Sequence, residues 1–278
     1  MLRLLTIELH KLKYNKSAKV ITLVYFILIT FIALIASIEF NFGEFHFRIA
    51  DQGIFNFPFI WHFNTWIAAI LKLFLAIVIV SMMANEYSHR TLKQNLIDGL
   101  SKKEFVLSKF LTVIGFALVS TIFVFIVSLV LGLMFSDYNE FGIIFSDIEY
   151  LFAYFIKLLG FFSFCLFLGV LVKRSAFALG FLLIWSISEG IIYAILKWKM
   201  FKDTDIAESI LQFFPLASMA NLIKEPFSRL GAVQSAASQL GEAFDKDYSV
   251  QPLTVLIVLV WTFLFIYWSY LILKRRDL

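Results

Sequence analysis

The chain is poor in charge and has a single cysteine. Only 16% of its 278 residues are charged and 61% are hydrophobic, which leaves too little polar surface to cover a water-soluble domain. The lone cysteine, Cys165, excludes an intrachain disulfide and any cluster of thiolate ligands around a metal ion. A net charge of only +4 gives little support to nucleic-acid binding, so no nucleic-acid partner is expected.

Sequence motifs for nucleotide and metal chemistry are missing as well. There is no Gly-x-x-x-x-Gly-Lys-Ser/Thr loop, so the chain cannot hold ATP in that way. The four histidines include no His-Glu-x-x-His pair, which argues against a metal hydrolase or an intramembrane protease. We therefore expect no catalytic residues, no metal site and no cofactor bound by this chain.

What the sequence does have is a series of six long apolar stretches. A hydrocarbon core about 30 Å thick is crossed by roughly 20 helical residues. The predicted spans are residues 20–38, 66–84, 111–135, 151–172, 176–197 and 252–273. They are too long and too continuously apolar for the strands of a membrane barrel. The predicted fold class is all-α, with residues 1–278 forming one polytopic membrane domain of six transmembrane helices.

Basic residues gather on alternate connections between these spans, and they predict the orientation. They are Arg3, Lys11, Lys13, Lys16 and Lys19; Arg90, Lys93, Lys102, Lys103 and Lys109; Lys173 and Arg174; and Lys274, Arg275 and Arg276. The first loop has only Arg48, and residues 136–150 have acids but no Lys or Arg. Because Lys and Arg in short loops favour the cytoplasmic side, both termini are predicted to be cytoplasmic.

The amino-terminal segment, residues 1–17, has an amphipathic pattern. Its leucines recur at spacings of three and four, as Leu2, Leu5, Leu9 and Leu12. This spacing predicts a helix that lies in the cytoplasmic membrane interface. A simple extension of the first span is the alternative.

The loop after the second span carries a helical pattern of its own. A leucine stripe recurs every four residues and consists of Leu92, Leu96 and Leu100. It predicts a short helix with one apolar face. Gly99 is placed to end that helix, and Ser101 with Glu104 forms a capping box that starts the next one. A surface helix without a partner is the alternative.

Several positions of this loop follow a known pattern. They are Glu86, Thr91, Leu96, Gly99, Ser101, Lys102 and Lys109. On these residues the loop resembles that of the ABC-2 type exporter permeases. The order of elements is also similar to that family: an amino-terminal interfacial helix, six spans, cytoplasmic termini and a long outer loop, here residues 198–251. The resemblance implies a permease subunit of an ATP-driven exporter in a bacterial cytoplasmic (inner) membrane.

The resemblance also implies a set of partners and contact residues. Residues 86–103 would form a coupling loop that docks on a separate ABC ATPase subunit, present in two copies. The implied coupling residues are Glu86, Arg90, Thr91, Leu92, Leu96, Gly99, Leu100, Ser101 and Lys102. ATP and Mg would be bound by the ATPase, and the path would be shared with a second permease, the same chain or a homologue, among membrane lipids. The alternatives are an ATP-independent secondary transporter or a membrane scaffold subunit of a larger secretion or motility complex.

Three charged residues fall within the predicted spans: Lys72, Lys157 and Glu189. Each needs an explanation, because a charge at the bilayer centre costs about 2.5–3.5 kcal/mol on insertion scales. The two lysines are close enough to the outer ends of their spans to reach the headgroups. The shorter Glu189 should face protein or water, which leaves an ion pair with Lys72 or Lys157, a role in lining the path, or proton coupling.

The predicted outer face has two further patterns. Aromatic residues alternate with other residues over 55–63 and over 40–47, which predicts strands paired as a hairpin that turns near residues 51–53. The aromatic face would rest at the headgroups or grip an amphipathic substrate. The apolar run 210–223 is too short to span and fits a re-entrant or interfacial segment.

Overall fold

The structure, a computed structural model, describes residues 2–37, 39–42, 45–48, 53–138, 140–202, 204–239 and 246–276. Most of the described chain is helical. The helices are α1 (Leu2–Tyr14), α2 (Lys16–Ser37), α3 (Phe59–Ser88), α4 (Thr91–Ile97), α5 (Lys102–Phe135), α6 (Phe141–Ile144), α7 (Glu149–Val172), α8 (Ser175–Ile195), α9 (Ile206–Leu211), α10 (Pro215–Asn221), α11 (Gly231–Gln239) and α12 (Pro252–Arg275). A π-helical turn, Leu196–Met200, extends α8, and a 3-10 turn covers Phe227–Arg229.

Among the described residues, five segments are helical, long and apolar enough to cross a membrane. They are α3, α5, α7 with the residues before it, α8 with its π-helical turn, and α12. The pair α1 and α2, bent by 88° at residue 15, gives a sixth if it is counted as one span. Every predicted span falls within one of these helices, except that residue 38 lies outside the described residues. The chain therefore has the build of a multi-pass helical membrane protein.

Helix α7 lies at the centre of the bundle. It contacts α3, α5, α8 and α12, and its most apolar stretch is 78% buried, compared with 11% for α8. Two glycines permit this close packing: a Cβ atom on Gly160 would collide with Val258 of α12, and one on Gly169 with Met83 of α3. Small residues let helix backbones approach each other in a membrane. The exposed apolar surface of the bundle is therefore contributed by the other helices, and most of all by α8.

A buried cluster of hydroxyl groups ties α2 to the bundle. The Tyr25 and Tyr154 oxygens are 2.7 Å apart, and the Ser120 and Tyr154 oxygens are 2.9 Å apart. Tyr25 also bonds to Ser120, and all three residues are fully buried. Because an apolar interior offers hydroxyl groups no water, these groups satisfy one another and fix α2 against α5 and α7.

The aromatic segment before α3 differs from its prediction. The strand pair in the structure is β1 (Glu39–Phe42) with β2 (Phe45–Arg48), antiparallel, with Phe40 opposite Phe47. Residues 55–63 form turns and the start of α3, so the prediction of a strand there is wrong. Residues 51 and 52 of the predicted turn lie outside the described residues.

Packing of the rings explains the difference. Phe55 packs on Phe135 of α5 with centroids 5.7 Å apart, and Trp61 stacks on Phe125 of the same helix at 5.6 Å. The Trp61 indole N–H also donates to the Ile144 carbonyl at 2.7 Å. Phe55 and Trp61 are at most 1% exposed, so these rings fill the interior and do not form the exposed face of a strand.

The bundle has two distinct ends. One carries α1, α4 and the end of α12, where the Lys102 ammonium donates to the Arg276 carbonyl at 2.8 Å; we call it the α4 end. The other carries residues 53–58, α6 and the described residues of 201–251, which are 201–202, 204–239 and 246–251, and there Asn56 donates to Asp137 at 3.1 Å. We call it the α10 end.

Candidate functional site

Two left-handed residues set the position of α4. Arg90, which is exposed, precedes the helix with φ +56°, and Gly99 follows it with φ +93°. The N–H groups of Gly99 and Leu100 donate to the carbonyls of Leu96 and Asn95 at 3.2 and 3.0 Å, which closes the helix end. The predicted end at Gly99 is confirmed.

The capping box at the start of α5 is also confirmed. The Ser101 hydroxyl accepts the Glu104 N–H at 3.2 Å, and the Glu104 carboxylate accepts the Ser101 N–H at 2.9 Å. The reciprocal bonds fix the short turn between α4 and α5. The position of α4 is therefore tied to the long helix α5.

The leucine stripe faces the bundle. Leu92 is only 2% exposed, and Leu96 and Leu100 are partly buried against the core. The residues of α4 and its following turn that face solvent are Lys93, Gln94, Ile97, Asp98 and Gly99. Ile97 is 75% exposed. The stripe therefore attaches α4 to its own bundle, and Leu92 is not on the exposed face of the helix.

A buried carboxylate at the end of α3 holds α4 in place. Glu86 is 3% exposed, and its Oε2 accepts the Thr91 hydroxyl at 2.5 Å and the Asn95 amide at 3.5 Å. Its Oε1 accepts the ammonium groups of Lys109 at 2.5 Å and Lys11 at 2.7 Å. One side chain thus joins α1, α3, α4 and α5.

A second buried carboxylate completes this arrangement. Glu8 of α1 is 2% exposed and accepts the Lys109 ammonium at 2.6 Å, while Lys11 lies 3.7 Å away. Lys109 is 1% exposed, so it lies enclosed between Glu8 and Glu86. The two carboxylates and two ammonium groups balance in charge, with Glu8, Glu86 and Lys109 buried and the Lys11 side chain 34% exposed. We call these groups, with Thr91 and Asn95, the α1–α4 network.

Sequence reasoning missed Glu8 and Lys11 as members of this network. One signal was present: Glu8 is the sole acidic residue before position 39, on an otherwise basic and apolar helix. Its partner is 101 positions away, a distance at which spacing carries no information.

Two cavities open beside α1, and Glu8 lies in the wall of both. One, of about 350 Å³, is between α1 and the α4–α5 turn and includes Asn95 and Asp98. The other, of about 560 Å³, is between α1, α2 and α3 and includes Lys11 and Glu86. Both cavities are open at the surface, so α1 is not closely packed against the α4–α5 turn on one side or against the start of α2 and the end of α3 on the other.

Lys102 joins the loop to the far end of the chain. Its ammonium donates to the Lys274 carbonyl at 3.3 Å as well as to that of Arg276. The Arg276 guanidinium donates to the Val170 carbonyl at 2.6 Å and to the Tyr87 hydroxyl at 2.9 Å. The ends of α3, α7 and α12 are therefore fastened together beside α4.

The three charges within the apolar helices do not pair with one another among the described residues. The Lys72 ammonium lies 4.3 Å from the centroid of the Phe161 ring. Glu189 is 6% exposed, and Lys157, at 5%, is enclosed in the bundle and does not extend to its surface. The expected ion pair of Glu189 with either lysine is thus not formed, and both Glu189 and Lys157 instead contact α10.

At the α10 end, Arg229 fastens the 3-10 turn Phe227–Arg229 to the bundle. It donates to Nδ1 of His62 at 3.0 Å and to the Tyr150 hydroxyl at 3.4 Å, and it lies 3.7 Å from Asp147. Nδ1 of His62 accepts, so Nε2 carries the proton and donates to the Lys224 carbonyl at 2.9 Å. The backbone at Lys224 and the turn at Arg229 are therefore packed against α3 and α7.

A further ion pair, between Glu225 and Lys246, lies on the surface at the α10 end. Although desolvation acts to raise the pKa of the Glu225 carboxyl, hydrogen bonds from Ser228 and Lys246 hold that pKa below its ordinary value. The Lys246 ammonium is 3.0 Å from the carboxylate. Because both groups are partly exposed, the pair adds little to stability.

Comparison with known families finds one that covers most of the chain. A sequence model described as ABC-2 family transporter protein matches residues 51–272. The match runs from before α3 into α12 and includes both α4 and α10. A comparison with curated proteins finds no match.

Proposed function

Since the chain belongs to the ABC-2 family of transporter proteins, we propose that it is the membrane-spanning permease of an ATP-driven exporter. It forms the translocation path with a second permease, the same chain or a homologue. Two separate ABC ATPase subunits bind ATP and Mg and supply the energy. This chain transmits that energy and carries no chemistry of its own.

The braced, partly exposed α4 is the observation that carries the proposal. An ATPase without a covalent link acts on the permease through a contact, and a contact transmits motion only if it is stiff. The α1–α4 network and the buried leucine stripe supply that stiffness. Ile97 is the apolar anchor for the partner, flanked by Lys93 and Asp98. Glu86, Thr91 and Leu92 position α4 and do not themselves touch the ATPase.

Orientation follows from the same proposal. The α4 end faces the cytoplasm of a bacterial cell, and the α10 end faces outward. The basic residues at the α4 end support this assignment. The 88° bend between α1 and α2 supports an α1 that lies along the cytoplasmic interface, with Leu9 turned away from the bundle.

Replacement of Ile97 by aspartate tests the docking role. An apolar anchor at the centre of an interface contributes about 2 kcal/mol or more, so Ile97→Asp should weaken ATPase binding by roughly 30-fold or more. We expect normal amounts of permease in the membrane and loss of the co-expressed ABC ATPase during purification in detergent. Transport and ATP hydrolysis by the purified complex should fall together.

Phe141→Asp is the matched control. Phe141 is 78% exposed and lies at the α10 end, so the same change in polarity is made away from α4. This variant should keep its ATPase. If Ile97→Asp also keeps the ATPase at wild-type stoichiometry, α4 is not the coupling element, and an ATP-independent secondary transporter becomes the better explanation.

A further inference from the structure

Glu189 of α8 holds the first turn of α10. Its two carboxylate oxygens accept the backbone N–H groups of Leu216 at 3.1 Å and Ala217 at 2.9 Å. The Trp185 indole, one turn earlier on α8, donates to the same carboxylate at 2.8 Å and fixes its orientation. A carboxylate is thus enclosed in the bundle, and among the described residues its hydrogen bonds all come from N–H donors.

Lys157 of α7 holds the other end of α10. Its ammonium donates to the carbonyl oxygens of Ala220 at 3.3 Å and Ile223 at 3.4 Å. These carbonyls belong to the last turn of α10 and the residues just after it. The anion and the cation therefore lie at opposite ends of one short helix.

The signs of the two charges fit the helix. Free N–H groups give a helix a partial positive charge at its first turn, and free carbonyls give a partial negative charge at its last. In a helix of seven residues most backbone polar groups are terminal ones that need outside partners. Glu189 and Lys157 supply these partners where water is excluded.

The surroundings of α10 show what is held. The helix contacts α7, α8 and α12, and Ser218 and Met219 are fully buried. Gly160 leaves room for it, since a Cβ atom there would press on Met219 and Val258. Non-helical residues flank α10 on both sides, so it can shift without bending a long helix.

We propose that Glu189 and Lys157 are positioning residues that clamp α10 by its two ends and so close the α10 end of the bundle. Because both charges can exchange their backbone partners for water, the closed arrangement is reversible. Water that enters as the α10 end opens would solvate both charges as α10 is released. The clamp itself does not depend on the proposed export function. Its consequence for transport, that release of α10 is required, does rest on that proposed function.

Accessibility of Ser218 measures the clamp directly. In a Cys165→Ser background, Ser218→Cys places a thiol at a buried position with little change in size. Glu189→Gln and Lys157→Met should each raise the rate of labelling by a membrane-impermeant maleimide about tenfold or more, since each loses a charge-assisted bond. Lys72→Gln is the matched control, because the Lys72 ammonium contacts the Phe161 ring and no α10 atom among the described residues. It should leave the rate unchanged.

Exchange of the two charges separates a clamp from an ion pair. The combination Glu189→Lys with Lys157→Glu would keep any attraction between the two side chains but would set like charge against like at both ends of α10. We expect labelling to stay fast in this variant. Slow, wild-type labelling after the exchange would overturn the clamp, as would unchanged labelling in both single variants. If the exchanged protein fails to assemble, the single variants decide, and because labelling needs no ATPase, failure here is distinct from failure at Ile97.

Discussion

The two ends of the bundle use buried charge in different ways. At the α4 end, Lys109 lies between Glu8 and Glu86, and side chains from four helices meet one another. At the α10 end, Glu189 and Lys157 meet no opposite charge among the described residues and bind the backbone of one short helix. The first arrangement joins α1 and α4 to the long helices α3 and α5 through side chains, while the second holds the backbone of one short helix that lies between non-helical residues. If the proposed function is correct, the ATPase would act on the first end and the second end would open.

The largest expected effect is in a labelling experiment that tests which end of the bundle faces the cytoplasm, because its result is all or none. In a Cys165→Ser background, Lys93→Cys at the α4 end should react with an impermeant thiol reagent only after cells are permeabilised. Tyr138→Cys, which replaces a side chain 49% exposed at the α10 end, should react in intact cells. Labelling of Lys93→Cys from outside would show that the orientation is the reverse of the proposed one, and α4 could then not contact a cytoplasmic ATPase.

Loss of the ammonium at Lys109 should give the next largest effect. Lys109→Met keeps most of the side-chain length but leaves the two buried carboxylates, Glu8 and Glu86, with the ammonium group of Lys11 alone. Removing one partner of a buried ionic group costs about 3–5 kcal/mol. We expect a large fall in the thermal midpoint of the detergent-purified protein.

Lys102→Met serves as the control for that change. It removes the same charge from a residue that is bonded only to carbonyls among the described residues, at the edge of the bundle. Its midpoint should fall far less. Equal falls in the two thermal midpoints would mean that the α1–α4 network contributes no more to stability than the bonds of Lys102 do.

Local signals in the sequence were sufficient for the loop at the α4 end. The capping box at Ser101 and the end of α4 at Gly99 depend on neighbours a few residues away, and both are found. The direction of the leucine stripe was not predictable in the same way. Helical spacing says that Leu92 and Leu96 share a face, but an apolar face near a membrane can meet lipid, a partner or its own bundle.

Contacts between distant positions account for the other differences. The depth of Glu189 predicted that it faces protein or water. In the structure it faces protein, and two of its partners are backbone N–H groups 27 and 28 positions away. A search for opposite charges in the sequence cannot find a backbone partner. The alternation over residues 55–63 failed for a related reason, because rings on every side of that segment pack inward.

Packing against α7 offers the finest test of the α10 end. Gly160→Ala places a methyl group where Val258 and Met219 already lie, and overpacking of this kind typically costs about 1–3 kcal/mol. Gly180→Ala is the matched control on α8, where nothing lies within 4 Å of the added atom. In a helix interior that second change should stabilise by about 0.5–1 kcal/mol, because alanine loses less conformational freedom than glycine. The thermal midpoint should therefore fall for Gly160→Ala and hold or rise for Gly180→Ala, and labelling of Ser218→Cys should quicken only in the former. A lower midpoint with unchanged labelling would mean that Gly160 serves the contact with α12 alone, and that α10 is held by its two charged ends without help from this surface.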